Sequence, residues 1–186
     1  MVALSALWLP ILLSAVIVFI ASSIMHTLLT YHRSDCHQLP EEDKLLGALR
    51  ATGLQRGLYM FPYSRNPNEM KSPAMAEKYK QGPVGMMTVF PSGLPVMPKF
   101  LGMWFAFCLV ISIFVAYLTG HTVAPGAPYL GIFRAAGTAG FLAYGLGQLS
   151  NGIWKGQPWG MTLKEVFDGL IYALLTGATF AYLWPR

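Results

Sequence analysis

The sequence predicts an all-α, polytopic membrane protein: a bundle of four transmembrane helices with one cytoplasmic loop of short helices. Three observations predict it. Hydrophobic residues make up 54% of the chain and charged residues only 11%, against about 25% charged in ordinary soluble domains. Four runs, at roughly residues 4–25, 100–120, 135–153 and 166–183, are apolar and almost free of charge. Each approaches the ~20 residues that a helix rising ~1.5 Å per residue needs to cross a hydrocarbon core of ~30 Å. The basic residues are also divided unequally among the segments that join these runs.

With their interfacial ends included, the spans are set at about residues 4–27, 100–120, 130–154 and 164–184, within a single membrane domain covering 1–186. The first is expected to stay on the protein. Residues 1–23 hold no Lys or Arg, and the apolar stretch is longer than the ~7–15 residue core of a cleaved signal peptide. Pro10 predicts a bend in this helix.

Orientation follows from counting positive charge. The 31–99 loop carries nine Lys or Arg and the connection 155–164 carries two more, whereas the opposite side holds only Arg134 and Arg186. Eleven against two places the loop in the cytoplasm and both termini outside. The plasma membrane of a bacterium, its inner membrane, is the expected location. Trp8, Tyr129, Tyr182 and Trp184 then fall at the outer surface and Tyr31, Trp154 and Trp159 at the inner one, where amphipathic rings prefer to lie.

Within the loop, Pro40 followed by Glu41, Glu42 and Asp43 reads as a helix start, with Leu45, Leu46 and Leu49 on one face. Asn66, Pro67 and Asn68 are turn residues, and Ser72 and Pro73 offer a cap and first position for a second helix through Lys80. Residues 81–98 carry no charge but four prolines, which forbid a regular helix. Its Met86, Met87, Phe90, Leu94 and Met97 are read as a strap that lies at the membrane interface or against a partner.

The third span is rich in small residues. Ala136 and Gly140 make one pair at four-residue spacing, Gly137 and Gly145 extend an adjoining row, and Ala139, Ala143, Gly147 and Asn151 form a second row. Such residues let helices approach closely in lipid, so this helix is expected to be buried among its neighbours, or to form a seam between copies.

The candidate polar cluster is His26, Gln148, Asn151 and Asp168, which the topology brings to a similar depth at the inner surface. Either His26 and Asp168 pair, or each sits separately at headgroup level in water. Arg134, at the opposite end of its helix, is expected to reach the outer surface.

Other classes find little support. His32, Cys36 and His37 are close in sequence but lack the spacing of a structural zinc site, and no haem-attachment motif occurs, so no metal and no cofactor is expected. Cys36 and Cys108 are read as free thiols. Nucleophile-elbow, zinc-protease and phosphate-loop motifs are absent, which leaves enzyme the least supported class. The charge of +5 is spread over several connections rather than gathered on one face, which argues against nucleic acid.

The sequence therefore predicts a non-catalytic membrane subunit or scaffold, an accessory protein whose loop and strap dock a partner complex. The alternative is a small homo-oligomeric transporter or channel with its polar site at the inner ends of helices 1, 3 and 4.

Overall fold

The computed structural model describes residues 1–186, which form the helices and strands α1 (Trp8–Thr27), α2 (Glu42–Ala51), β1 (Gly57–Phe61), α3 (Pro67–Met70), α4 (Pro73–Gln81), β2 (Gly85–Val89), α5 (Met97–Thr122), α6 (Tyr129–Tyr144), α7 (Leu149–Trp154) and α8 (Trp159–Tyr182). The protein is mostly helical. It divides into two compact units, one made of Met1–Cys36 with Val96–Arg186 and the other of His37–Pro95.

The first unit is a four-helix bundle in which α1 packs on α5, α5 on α6, α6 on α8 and α8 on α1. Neighbours run antiparallel, as the bond from Val2 N–H to the Gly120 carbonyl (2.8 Å) shows for the start of α1 and the end of α5. The bundle is apolar outside and partly polar within. Leu9, Leu12, Ile20, Phe107, Phe114, Leu142, Phe167 and Leu174 are exposed, while Ser14, Ser112, Thr162 and Thr176 are fully buried. Ser14 Oγ donates to Ser112 Oγ at 3.0 Å, tying α1 to α5 in mid-bundle.

Local chemistry sets the helix limits. Pro10 is the third residue of α1, where backbone N–H groups lack an intrahelical acceptor, so it opens the helix. A 3₁₀ turn over Leu4–Leu7 leads directly into it. Pro98 likewise sits in the first turn of α5 and lets that helix begin three residues before the apolar run.

Only Leu4–Thr27 and Met97–Thr122 are both long and apolar enough to qualify as membrane spans by themselves. The segment expected as span 130–154 is interrupted: α6 ends at Tyr144, a 3₁₀ turn follows over Leu146–Gln148, and α7 continues. The cause lies across the interface. At this point the backbones of α6 and α8 touch, and a Cβ placed on Gly169 would meet Gly145 Cα at 2.3 Å. Helix α8 is long enough, but it carries Lys164, Glu165 and Asp168 in its first half.

The small residues of α6 serve close packing along the first of the two expected rows and not the second. Ala136 is buried, and a Cβ on Gly140 would lie 3.3 Å from Ala173 Cα. Gly137 faces Gly177. Ala143 and Gly147, in contrast, are exposed, and open space surrounds Gly147. The row that meets α8 is thus Gly137, Gly140 and Gly145, because the helix turns this stripe toward Gly169, Ala173 and Gly177.

In the second unit the helix starts expected after Pro40 and at Ser72 are present, and residues 66–68, expected as a turn, open a further short helix. Ser72 Oγ accepts the Met75 N–H at 3.2 Å to cap α4, and Asn66 Oδ1 caps the short α3 through Asn68 and Glu69. An antiparallel hairpin joins them, pairing Gly57 with Val89, Tyr59 with Met87 and Phe61 with Gly85. The sequence gives this hairpin little signal, because Met86 and Met87 lack the β-branched or aromatic character that marks strands. Met75 is buried in this unit, while Leu58, Met60, Val84, Phe90 and Leu94 are exposed.

Candidate functional site

A polar cluster stands at the end of the bundle where α1 finishes and α8 begins. Helix α1 is followed by a 3₁₀ turn, Tyr31–Ser34, which places Tyr31, His32 and Asp35 around one corner. Helix α8 supplies Lys164 and Asp168, one turn apart and hence on one face. The turn and the helix face grip each other at both residues.

Lys164 Nζ donates to the Tyr31 carbonyl (2.6 Å), to Ser34 Oγ (2.8 Å) and to Asp35 Oδ1 (2.6 Å). Three donors meet three acceptors, and the ammonium is satisfied. The Asp168 side chain is only 5% exposed, yet it too is fully engaged. Tyr31 O–H donates to Oδ1, and His32 Nε2 lies 2.8 Å from Oδ2. The other nitrogen of His32, Nδ1, is 2.6 Å from Asp35 Oδ2. The imidazole is therefore held edge-on between two carboxylates.

The electrostatics follow from this arrangement. Burial by itself lowers the pKa of His32, but hydrogen bonds to Asp35 and Asp168 outweigh it and raise the value above that of a free histidine. Asp35 is pulled below the usual carboxylate range, first by Lys164 and then, against the cost of burial, by His32. Burial, reinforced by the Asp168 carboxylate, pushes Tyr31 far up and keeps it a donor. With a protonated His32, Lys164 and the ring balance Asp35 and Asp168, so the enclosed charges sum to zero. Closing that balance is what makes burial of four ionisable groups tolerable.

His26 completes the cluster from the last turn of α1. Its ring stacks on that of His32, with centroids 4.5 Å apart and planes 13° from parallel. Its Nε2 is 3.8 Å from Asp168 Oδ2, and the side chain remains 52% exposed. Its Nδ1 lies 3.0 Å from the Ser22 carbonyl. Ser22 Oγ in turn accepts from Trp104 Nε1 at 2.7 Å, which fixes α1 against α5 beside the histidine. A cleft of about 400 Å³ opens there, lined by Ser23, His26, Thr27, Met97, Leu101 and Trp104. Deeper in the bundle, Trp104, Phe107, Tyr144 and Tyr172 form an aromatic layer, and the Tyr172 hydroxyl is buried without a protein partner.

Of the four residues expected to cluster, His26 and Asp168 come together. Gln148 and Asn151 do not join them; Asn151 Nδ2 bonds Gln148 Oε1 at 2.9 Å and Asn151 Oδ1 takes Lys155, a local set on α7 and its approach. The helix break after Gly145 explains this, since it redirects the chain that an unbroken helix would have carried to the same place. Cys36 and His37, which sequence proximity groups with His32, are both exposed and take no part. Sequence reasoning missed Tyr31, His32, Asp35 and Lys164 as members. The available signal was the His32 and Asp35 pair three residues apart, together with Lys164 and Asp168 four apart on one helix.

Several aromatic residues assigned to the membrane surfaces are exposed, among them Trp8, Trp154 and Tyr182. Two are structural instead. Tyr31 serves Asp168, and Trp184 is buried with its Nε1 donating to the Ala124 carbonyl at 3.0 Å.

Comparison with protein-family models, with curated proteins and with solved structures gives no match to this chain.

Proposed function

We propose that this protein is an integral membrane subunit that crosses the bilayer four times and docks a partner protein through its 37–95 unit and the Phe90 to Met97 strap. The observation that carries the reading is the inverted distribution of the bundle, with bulky apolar side chains outward on all four long helices and Ser and Thr inward. That pattern suits a lipid surround, where association relies on small residues and interhelical hydrogen bonds. The packing extends the argument from two helices to four. If α1 and α5 cross, α6 and α8, which lie alongside them in one compact unit, share their depth.

Docking is supported by the strap itself. Phe90 is 74% and Leu94 93% exposed, and Val96 and Met97 are exposed beside them. An uncharged apolar segment of this kind suits a covered surface. Both termini are then outside and the 37–95 unit is cytoplasmic, in agreement with the distribution of basic residues.

Two measurements test this. A cysteine placed at Gly156, between α7 and α8, in a Cys36→Ser background is expected to be labelled only from the cytoplasmic face. Labelling from outside would reduce the crossings to two, a distinction that a reporter after Arg186 does not make, because either count leaves that end outside. A photoreactive residue at Phe90 or Leu94 is expected to cross-link one polypeptide in near-stoichiometric yield. Cross-links to phospholipid alone overturn docking, and cross-links between copies together with solute flux in vesicles favour the small transporter.

A further inference from the structure

The cluster has the arrangement of a ligand set. A carbonyl oxygen only accepts, so the contact between His26 Nδ1 and the Ser22 carbonyl puts the ring proton on Nδ1. The neutral ring then presents the Nε2 lone pair toward Asp168. His32 follows the same rule. Its Nδ1 faces the Asp35 carboxylate, which accepts a proton there and leaves Nε2 directed at Asp168 Oδ2. Asp168 Oδ1 is occupied by the Tyr31 hydroxyl, so Oδ2 is the oxygen at which both histidines converge.

We propose that His26 Nε2, His32 Nε2 and Asp168 Oδ2 form a binding site for a divalent first-row transition-metal ion. One ligand atom from each of the three residues lies within 4.8 Å of the others, and 2.8 Å and 3.8 Å separate the two Nε2 nitrogens from Asp168 Oδ2. Metal–ligand bonds of about 2.0–2.2 Å put neighbouring ligand atoms roughly 3.3 Å apart in a tetrahedron. Coordination therefore requires the His32–Asp168 contact to open by about 0.5 Å and the half-exposed His26 ring to rotate out of its stack on His32 so that both Nε2 lone pairs converge on the ion. Two imidazoles and one carboxylate select transition ions over Ca²⁺ or Mg²⁺, which prefer all-oxygen surroundings.

The surroundings strengthen the assignment more than the ligands do. Metal-binding histidines nearly always donate their second nitrogen to a carbonyl or carboxylate that fixes the tautomer. Here both do, His26 to Ser22 and His32 to Asp35, and Asp35 is itself clamped by Lys164. Tyr31 orients the third ligand. Without a metal, a proton on His32 Nε2 bridges to Asp168; the cation replaces that proton and draws His26 into the set. Three protein ligands leave a coordination position for water or a further ligand, and His26 also lines the 400 Å³ cleft. Sequence reading expected no metal because it sought ligands at short spacing, whereas these come from both ends of the chain.

The site is independent of partner docking and is tested on the full-length protein in detergent. After chelator treatment, Zn²⁺ added in competition with a chromophoric chelator is expected to bind at one equivalent per chain and to raise the melting temperature, and Co²⁺ to give the visible bands of a low-symmetry nitrogen and oxygen site. His26→Ala is expected to weaken binding by at least 10-fold while leaving metal-free melting nearly unchanged, since the residue is half exposed. Asp35→Asn is expected to weaken it 10- to 100-fold through His32. His121→Ala, on an exposed residue at the other end of α5, serves as the control and is expected to have no effect. Should His26→Ala lower metal-free melting, His26→Gln carries the comparison. Binding below one-tenth of an equivalent in the wild-type protein, or affinity unchanged in both His26 variants, overturns the site.

Discussion

Replacing Gly169 with leucine is expected to prevent the bundle from forming. Even its first added carbon would lie 2.3 Å from Gly145 Cα, 2.5 Å from Gly145 N and 2.7 Å from the Tyr144 carbonyl carbon. All three are backbone atoms, so no side chain can rotate away, and relief requires α6 and α8 to separate along their closest contact. Over-packing ordinarily costs about 1–3 kcal/mol; a rigid backbone obstacle places this substitution at or above the upper end. Gly169→Ala already meets the same atoms and is expected to lower the melting temperature sharply. Gly147→Ala is the control: it sits in the 3₁₀ turn two residues beyond Gly145, in open space, and is expected to be silent. Equal melting of the two alanine variants would refute the close contact.

The second large effect is expected at Asp168. Its carboxylate receives Tyr31 and His32 and faces His26, in a side chain that is 5% exposed. Asp168→Ala leaves the phenol and the imidazole without their acceptor and unbalances Lys164 and Asp35. Removing one partner of a buried ionic set costs about 3–5 kcal/mol, and a loss of that order is expected in unfolding titrations in mixed micelles. Asp168→Asn, which keeps an acceptor oxygen, is expected to cost less. His26→Ala is expected to cost less still, because half of its side chain is in solvent. A loss below 1 kcal/mol for Asp168→Ala would show that the cluster contributes little to the fold.

Much of the helical framework is legible in the sequence because it depends on local composition. The apolar runs mark α1, α5 and most of α8, and the cap at Ser72 announces its helix directly, whereas Asn66 and Pro67, read as a turn, cap the single turn of α3. The break after Tyr144 is not legible, since it arises from the opposing Gly169, twenty-five residues further along. The hairpin escapes for a related reason: its strands are short and methionine-rich, and each is stabilised by the other.

For the site, helix order alone brings His26 to Asp168, because the end of α1 and the start of the antiparallel α8 lie at the same end of the bundle. That order does not distinguish Asp168 from Gln148 and Asn151, nor His32 from its neighbours Cys36 and His37. Those distinctions depend on which face of α8 meets the turn after α1, and Lys164 fixes that face through three bonds to Tyr31, Ser34 and Asp35.

The distance along the chain between His32 and Asp168, 136 residues, has a bearing on biogenesis. During synthesis the corner after the first helix emerges early, and its imidazole and carboxylate must remain in water or on a chaperone until the ribosome has delivered almost the whole polypeptide. Only the docking of α8 brings Lys164 and Asp168 to them. A nascent chain truncated before residue 164 would therefore expose an unsealed polar corner to quality-control proteases, whereas the finished one hides it.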